Sequence, residues 1–188
     1  MTTVAVMQPY FLPYAGYFRL FAAADRVAFF DCVQFPRRGW VHRNRLPDAL
    51  GRPAWLTLPL QRAPMSARIM DLRFAADARE RLAVACRRFP DLADIRHPLC
   101  AGMLDLDDSV CGYLEKRMRR CCNLMGLPFR TVRTSSLDLD PSLEGQDRVI
   151  AAVEALGADS YVNLEGGRDL YQPSAFESRG MRLRILPE

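Results

Sequence analysis

The sequence predicts an α/β fold: a single domain over residues 1–188, with a mainly parallel sheet flanked by helices and an inserted hairpin or loop region. Three observations lead there. Short apolar runs alternate with stretches of helical periodicity, the pattern of a parallel sheet whose crossovers are helices. The 188 residues are 49% hydrophobic, enough for one full core. The first apolar run passes straight into a turn rich in Pro and Tyr that opens a helix, the junction at which such folds hold ligands.

Val4-Ala5-Val6-Met7 reads as a buried strand. Pro9 and Pro13 lack backbone donors and fix φ, so the chain between them is a loop. From Tyr14, the apolar residues Tyr17, Phe18, Phe21 and Ala22 recur at helical spacing, Asp25-Arg26 ends that helix, and Val27 to Phe30 forms a second strand. After Asp31 to Pro36, the segments Arg38 to Leu46 and Ala54 to Leu60 read as the inserted hairpin or loop excursion. Ala76 to Phe89 is helical, with Leu82, Ala85, Cys86 and Phe89 on one face; Asp108 to Met125 is a longer helix that Gly126 and Pro128 end. Phe129 to Val132 is a strand, Gln146 to Leu156 a helix ended by Gly157, and Ser160 to Val162 a short strand. Asn163 to Gly167 reads as a polar loop, Arg168 to Ser178 as a helix broken at Pro173, and Met181 to Leu186 as the closing strand. Three strand ends, Gln8 to Tyr14, Asp31 to Gln34 and Arg133 to Ser136, are therefore expected along one edge.

Composition narrows the function classes. No apolar run reaches the ~20 residues of a membrane helix, and the N-terminus lacks a charged region followed by a cleavable apolar stretch, so a cytoplasmic location and no membrane partner are expected. The six cysteines show no CxxC spacing and only His42 and His97 supply imidazoles, which argues against a metal site. Cys121 and Cys122 lie in a helical pattern as buried thiols, and no cofactor is expected. The net charge of +4 is modest, but Arg37, Arg38, Arg43 and Arg45 cluster, with Arg52 just beyond. A second cluster, Lys116, Arg117, Arg119 and Arg120, reads as a solvated helix face, or as a docking face for an acidic protein such as a carrier domain. No recognition motif for nucleic acid is present.

The residues that carry chemistry lie around the three strand ends. Gln8, Tyr10 and Tyr14 follow the first strand, next to a helix N-terminus suited to anions. Cys32 and His42 could pair as nucleophile and general base for acyl transfer, with Asp31 orienting the ring; a plain strand-end thiol is the simpler reading. In an extended segment Arg43 and Arg45 share one face, with His42 and Asn44 on the other. Two guanidiniums on one face bind phosphate or carboxylate, or else pair with Asp31, Asp48 or Asp71. Trp40 reads as a core anchor or a stacking surface for a sugar or aromatic group, and Ser135 and Ser136 offer hydroxyls to an anion.

The motifs MQPYFLPYAGYF, FFDCVQFPRRGWVHRNR, WLTLPL and GADSYVNLEGGRDLY, in that order, resemble the WbqC-like family over nearly the full chain. That resemblance implies signature positions at Gln8, Pro9, Pro13, Asp31, Gln34, Arg43, Asn44 and Arg45, and in the segment Asn163 to Tyr171. It also implies a bacterial setting of O-antigen or other sugar and natural-product biosynthesis, a context that suits aminoacyl transfer. More distantly, Tyr14-Ala15-Gly16-Tyr17 stands where the nucleotidyltransferase-like α/β fold carries His-x-Gly-His, and Arg133 to Ser136 where its second phosphate motif falls. Tyrosines replace both histidines, and a neutral phenol offers a hydrogen bond without the positive charge.

The expected function is acyl or aminoacyl transfer, for example of glycine, from a carrier-protein thioester or activated amino acid to an amine of a sugar or natural-product precursor. A peptidyl or acyl carrier protein and a small amine or amino sugar are the candidate partners. Nucleotidyl transfer, or a non-catalytic subunit that binds a sugar nucleotide or carrier protein, are the alternatives.

Overall fold

The computed structural model describes residues 1–92, 96–106 and 109–187. In chain order its elements are β1 (Thr3–Met7), α1 (Arg19–Ala23), β2 (Arg26–Phe29), β3 (Arg43–Pro47), β4 (Pro53–Thr57), α2 (Ala78–Cys86), α3 (Val110–Leu124), β5 (Thr131–Arg133), α4 (Gly145–Ala155), β6 (Ser160–Leu164), α5 (Pro173–Glu177) and β7 (Arg182–Leu186). They form two compact units. Met1–Gln8, Tyr14–Phe30 and Leu127–Glu188 make one; Pro9–Pro13 and Asp31–Gly126 make the other.

The first unit is the expected α/β layer. Its five strands run in the order β5-β2-β1-β6-β7, every neighbouring pair parallel. Counted along the chain, this is the order 3-2-1-4-5, which reverses between β1 and β6. All five residues of β1 are buried, as a central strand covered on both faces requires. Alternation then assigns the faces. Val4, Val6 and Ala28 pack with Val149, Ile150 and Val153 of α4 and with Tyr161 and Phe176. On the opposite face Phe29 meets Phe21 and Phe129, whose rings stack at 5.5 Å and 11°.

Several boundaries differ from expectation for identifiable reasons. The helix expected from Tyr14 begins as a 3-10 turn, Ala15–Phe18, before α1. Pairing of β5 starts at Thr131, while the Arg130 carbonyl before it accepts from the Val27 amide at 2.9 Å. Asn163 and Leu164 are not loop: they extend β6 and pair with Ile185 and Leu186 of β7. The helix expected over Arg168 to Ser178 splits into a 3-10 turn, Glu165–Leu170, and α5, which Pro173 opens from its first turn, where a missing N–H costs nothing.

In the second unit β3 and β4 pair antiparallel as the expected hairpin, with Arg45 opposite Trp55. The Asp48 carboxylate accepts from the Leu50 and Arg52 amides at 2.9 and 3.0 Å, and Gly51 takes φ +71°, closing the turn. The inserted region is more than a hairpin: it has its own core of Leu56, Leu58, Ile69, Leu72, Leu82, Phe89, Tyr113 and Leu114. Phe11 joins that core fully buried, its amide bonded to the Trp40 carbonyl at 3.0 Å. The Ser109 hydroxyl caps α3 through the Gly112 amide at 3.1 Å; the start expected at Asp108 lies outside the described residues. Among the described residues no helix is long and apolar enough to cross a membrane.

Candidate functional site

In the sheet unit, the carboxyl ends of β5, β2 and β1 lie side by side, since the three are parallel neighbours. The Thr134 hydroxyl donates to the Phe29 carbonyl at 3.0 Å and fixes the turn after β5, leaving Ser135 and Ser136 exposed. Past β1, the Tyr17 hydroxyl donates to the Gln8 carbonyl at 3.1 Å, while Tyr14 stands 66% exposed. A cleft of about 290 Å³ opens at the reversal of strand order, where doubly wound sheets bind ligands. Tyr14, Gly16 and Arg19 line it from the segment after β1, and Leu164, Glu165 and Gly166 from the end of β6.

The cleft carries two opposite charges. Arg19 donates to the Pro187 carbonyl at 2.6 Å. Glu165 takes a two-pronged hydrogen bond from Arg168 at 2.5 and 2.8 Å, which holds its carboxyl below the usual range and therefore ionised at neutral pH. Arg19 did not stand out in the sequence; Glu165 lies in the signature segment Asn163 to Tyr171, and its i, i+3 pairing with Arg168 around two glycines is the signal that could have singled it out.

Asn163 faces a different environment from that of an open substrate ligand. Its amide nitrogen donates to the Tyr161 hydroxyl at 3.1 Å and its oxygen accepts from the Leu164 amide at 2.8 Å. The Tyr161 hydroxyl donates in turn to that of Tyr171 at 3.1 Å, and burial pushes the Tyr161 phenol well above its ordinary pKa, so it stays protonated.

The remaining expected residues belong to the second unit. Tyr10 packs against its core. Asp31 and Cys32 are buried in a segment that pairs with residues 67–70: the Asp31 carbonyl accepts from Met70 at 2.9 Å and that of Val33 from Ile69 at 3.0 Å. Gln34 donates to the Met65 carbonyl at 2.8 Å. His42 packs its ring edge-on against Phe35 at 5.0 Å. Burial, and then the neighbouring Arg43 charge, lower its pKa to about 4, and its Nδ1 is buried with no hydrogen-bond partner. Asp31 therefore does not hold the ring through that nitrogen.

Arg43 and Arg45 do share one face, and both guanidiniums lie over the Trp55 ring, at 4.3 and 4.8 Å. Asp48 and Asp71 are not their counterions; Asp48 pairs with Arg52 and Arg88, and Asp71 with Arg68. Asn44, on the opposite face, donates to the carbonyls of Phe11 and Leu12. Trp40 is not a core anchor: it is 42% exposed and lies 5.4 Å from Trp55.

The basic cluster on α3 departs from a solvated face at one position. Arg117 is buried and donates to the carbonyls of Leu99 and Ala101, while Arg119 pairs with Glu115 at 3.7 Å. Cys122 is fully buried, which pushes its thiol up to about 12, and Cys121 is half-buried. Among the described residues no group of three or more His, Cys, Asp or Glu side chains could hold a metal ion.

Comparison with known proteins gives two matches. The model of the WbqC-like protein family matches residues 8–187. The chain is also similar to the uncharacterized protein Rv1507c of Mycobacterium tuberculosis (strain ATCC 25618 / H37Rv), 24% identical over 193 residues that cover 97% of this chain and 81% of that protein. No solved structure matches.

Proposed function

Because this chain belongs to the WbqC-like protein family, we propose that it is a cytoplasmic transferase that moves an acyl or aminoacyl group from a carrier-protein thioester or activated amino acid to an amine of a sugar or natural-product precursor. The observation that carries this reading is the cleft at the strand-order reversal, with the Glu165 carboxylate and the Arg19 guanidinium in its lining. An aminoacyl donor brings an ammonium group, the counter-charge of Glu165, and phosphate or carboxylate on either substrate is the counter-charge of Arg19. Tyr14 and Gln8 orient the substrate, and the turn at Ser135 and Ser136, whose Ser136 hydroxyl donates to the Arg133 carbonyl at 2.7 Å, borders an anionic group.

In the transfer, the acceptor amine attacks the thioester carbonyl, a C–N bond forms and the C–S bond breaks. The carrier thiol leaves with the proton that the amine gives up. In a covalent form, which would run within the second unit alone, Cys32 accepts the acyl group and releases the carrier thiol, then passes the acyl group to the amine, with His42 as the base. A His42 pKa of about 4 supplies a neutral but weak base at pH 7.

The test is intact-protein mass spectrometry after incubation with aminoacyl-loaded carrier protein and an amino-sugar acceptor, with wild type and Cys32→Ala side by side. Product from both, without an adduct, supports direct transfer; an adduct on wild type alone supports the covalent form. A carrier that stays loaded in every reaction, with soluble aminoacyl thioesters also unconsumed, overturns acyl transfer.

A second reading, nucleotidyl transfer, is favoured by the 3-2-1-4-5 strand order and the exposed hydroxyls beyond β5. Calorimetric titration with magnesium-ATP separates it from the first: no heat of binding removes it.

A further inference from the structure

The outer face of the β3–β4 hairpin holds an arrangement that acyl transfer chemistry does not use. Trp40 and Trp55 are 42% and 39% exposed, side by side, with Arg43 and Arg45 over the Trp55 ring. Large aromatic rings in water, held against guanidiniums, are the residue types that dominate binding energy at protein interfaces. Arg43 is anchored by donating to the carbonyls of Gly39 and Arg38 at 3.3 and 2.7 Å. Arg45 makes no ion pair among the described residues; stacking on Trp55 pre-orders its five donors. Residues 36–57 hold five arginines against one acid, Asp48, which already pairs with Arg52 and Arg88.

We propose that this hairpin face docks a protein that presents clustered carboxylates. The surface is the outer side of a two-stranded sheet, and such a face suits a macromolecular partner better than a small ligand, which needs a concave site. Nucleobases are the poorer occupant, because the guanidiniums already cover the Trp55 ring on which a base would stack. Carboxylates engage the guanidinium forks without displacing them. The proposal rests on the transferase reading only in its choice of partner, an acidic carrier protein that brings the thioester.

The chain has two tryptophans, both in this patch, so tryptophan emission excited selectively from the six tyrosines reports it. The full-length protein is titrated with purified holo acyl carrier protein at low and high salt, and separately with a single-stranded oligonucleotide. The expected result is a saturable change in tryptophan emission with the carrier, weakened by salt, and about tenfold weaker binding for Arg45→Glu with an unchanged melting temperature. Arg45 is exposed, and its hydrogen bonding in the fold is through its backbone, which the substitution keeps, so the variant should stay folded. Equal carrier affinity in Arg45→Glu, no change in emission with the carrier, or an equally strong response to the oligonucleotide would each overturn the proposal. Transfer from a soluble aminoacyl thioester by the wild type is measured in parallel: docking without transfer counts against the transferase reading, and transfer by a wild type that does not dock the carrier counts against this surface.

Discussion

A β-carbon on Gly167 would lie 2.5 Å from the amide nitrogen of Asn163, and the bare glycine is what lets that side chain reach the Tyr161 hydroxyl. The clash is with a side-chain end, but one tied at both its nitrogen and its oxygen. Gly167→Ala should therefore cost about 1–3 kcal/mol, the penalty for breaking partly buried hydrogen bonds. Chemical denaturation measures it. Adding Asn163→Ala should recover part of the loss, because the truncated side chain frees the space; a double variant as unstable as the sum of the singles would refute the steric account.

The His42 ring gives stability a definite pH dependence. Its native pKa, about 4, lies below the ordinary 6.5, so between those values the unfolded chain binds the proton and the native one does not. Stability is then full above pH 6.5 and falls as pH drops toward 4, below which this group adds no further slope. The ring is only half-buried, so solvent screening reduces the effect to about 1–2 kcal/mol. Urea unfolding at pH 7 and pH 4.5 should show His42→Gln losing less stability than wild type across that interval.

Asn44 restrains an unusual backbone. Leu12 has φ +49°, a left-handed conformation that costs a side-chain-bearing residue roughly 1–2 kcal/mol, and the Asn44 amide donates to the Leu12 and Phe11 carbonyls. Asn44→Ala should destabilise by about 1–3 kcal/mol, and Leu12→Gly should lose less than a half-buried leucine normally would. Calorimetric melting temperatures of both variants decide this.

Glu165→Gln removes the negative charge of the cleft and, with it, one of the two hydrogen bonds from Arg168. If that carboxylate holds the ammonium of an aminoacyl donor, KM for the donor should rise about 10- to 100-fold, as for a lost charge-assisted hydrogen bond. An acetyl donor, which has no ammonium group, should be affected little. Equal losses for the two donors would assign Glu165 to the loop structure it shares with Arg168.

The parts of the molecule that follow from local spacing are legible in the chain. Val4 to Met7 with its two prolines beyond announces the strand and loop, and the alternation of Arg43 and Arg45 gives the face they occupy. What spacing cannot reveal is long-range pairing. Asn163 and Leu164 look like loop because they are followed by Glu-Gly-Gly, yet Ile185 and Leu186 draw them into the sheet. Arg117 sits within a basic run, and only the carbonyls of Leu99 and Ala101 explain its burial. Arg19 and Glu165 meet at one cleft from segments far apart, so no motif joins them.

The five residues Pro9–Pro13 leave the sheet unit, seat Phe11 in the other core and return at Tyr14. This stitch ties the two units in heredity. A recombination that exchanged only Asp31–Gly126 with a relative would bring a foreign core to meet the resident Phe11, so compatible exchanges must carry both stretches together. The second core is built from two separate stretches of chain, and a change at Phe11 has to be met by the residues of Asp31–Gly126 packed around it.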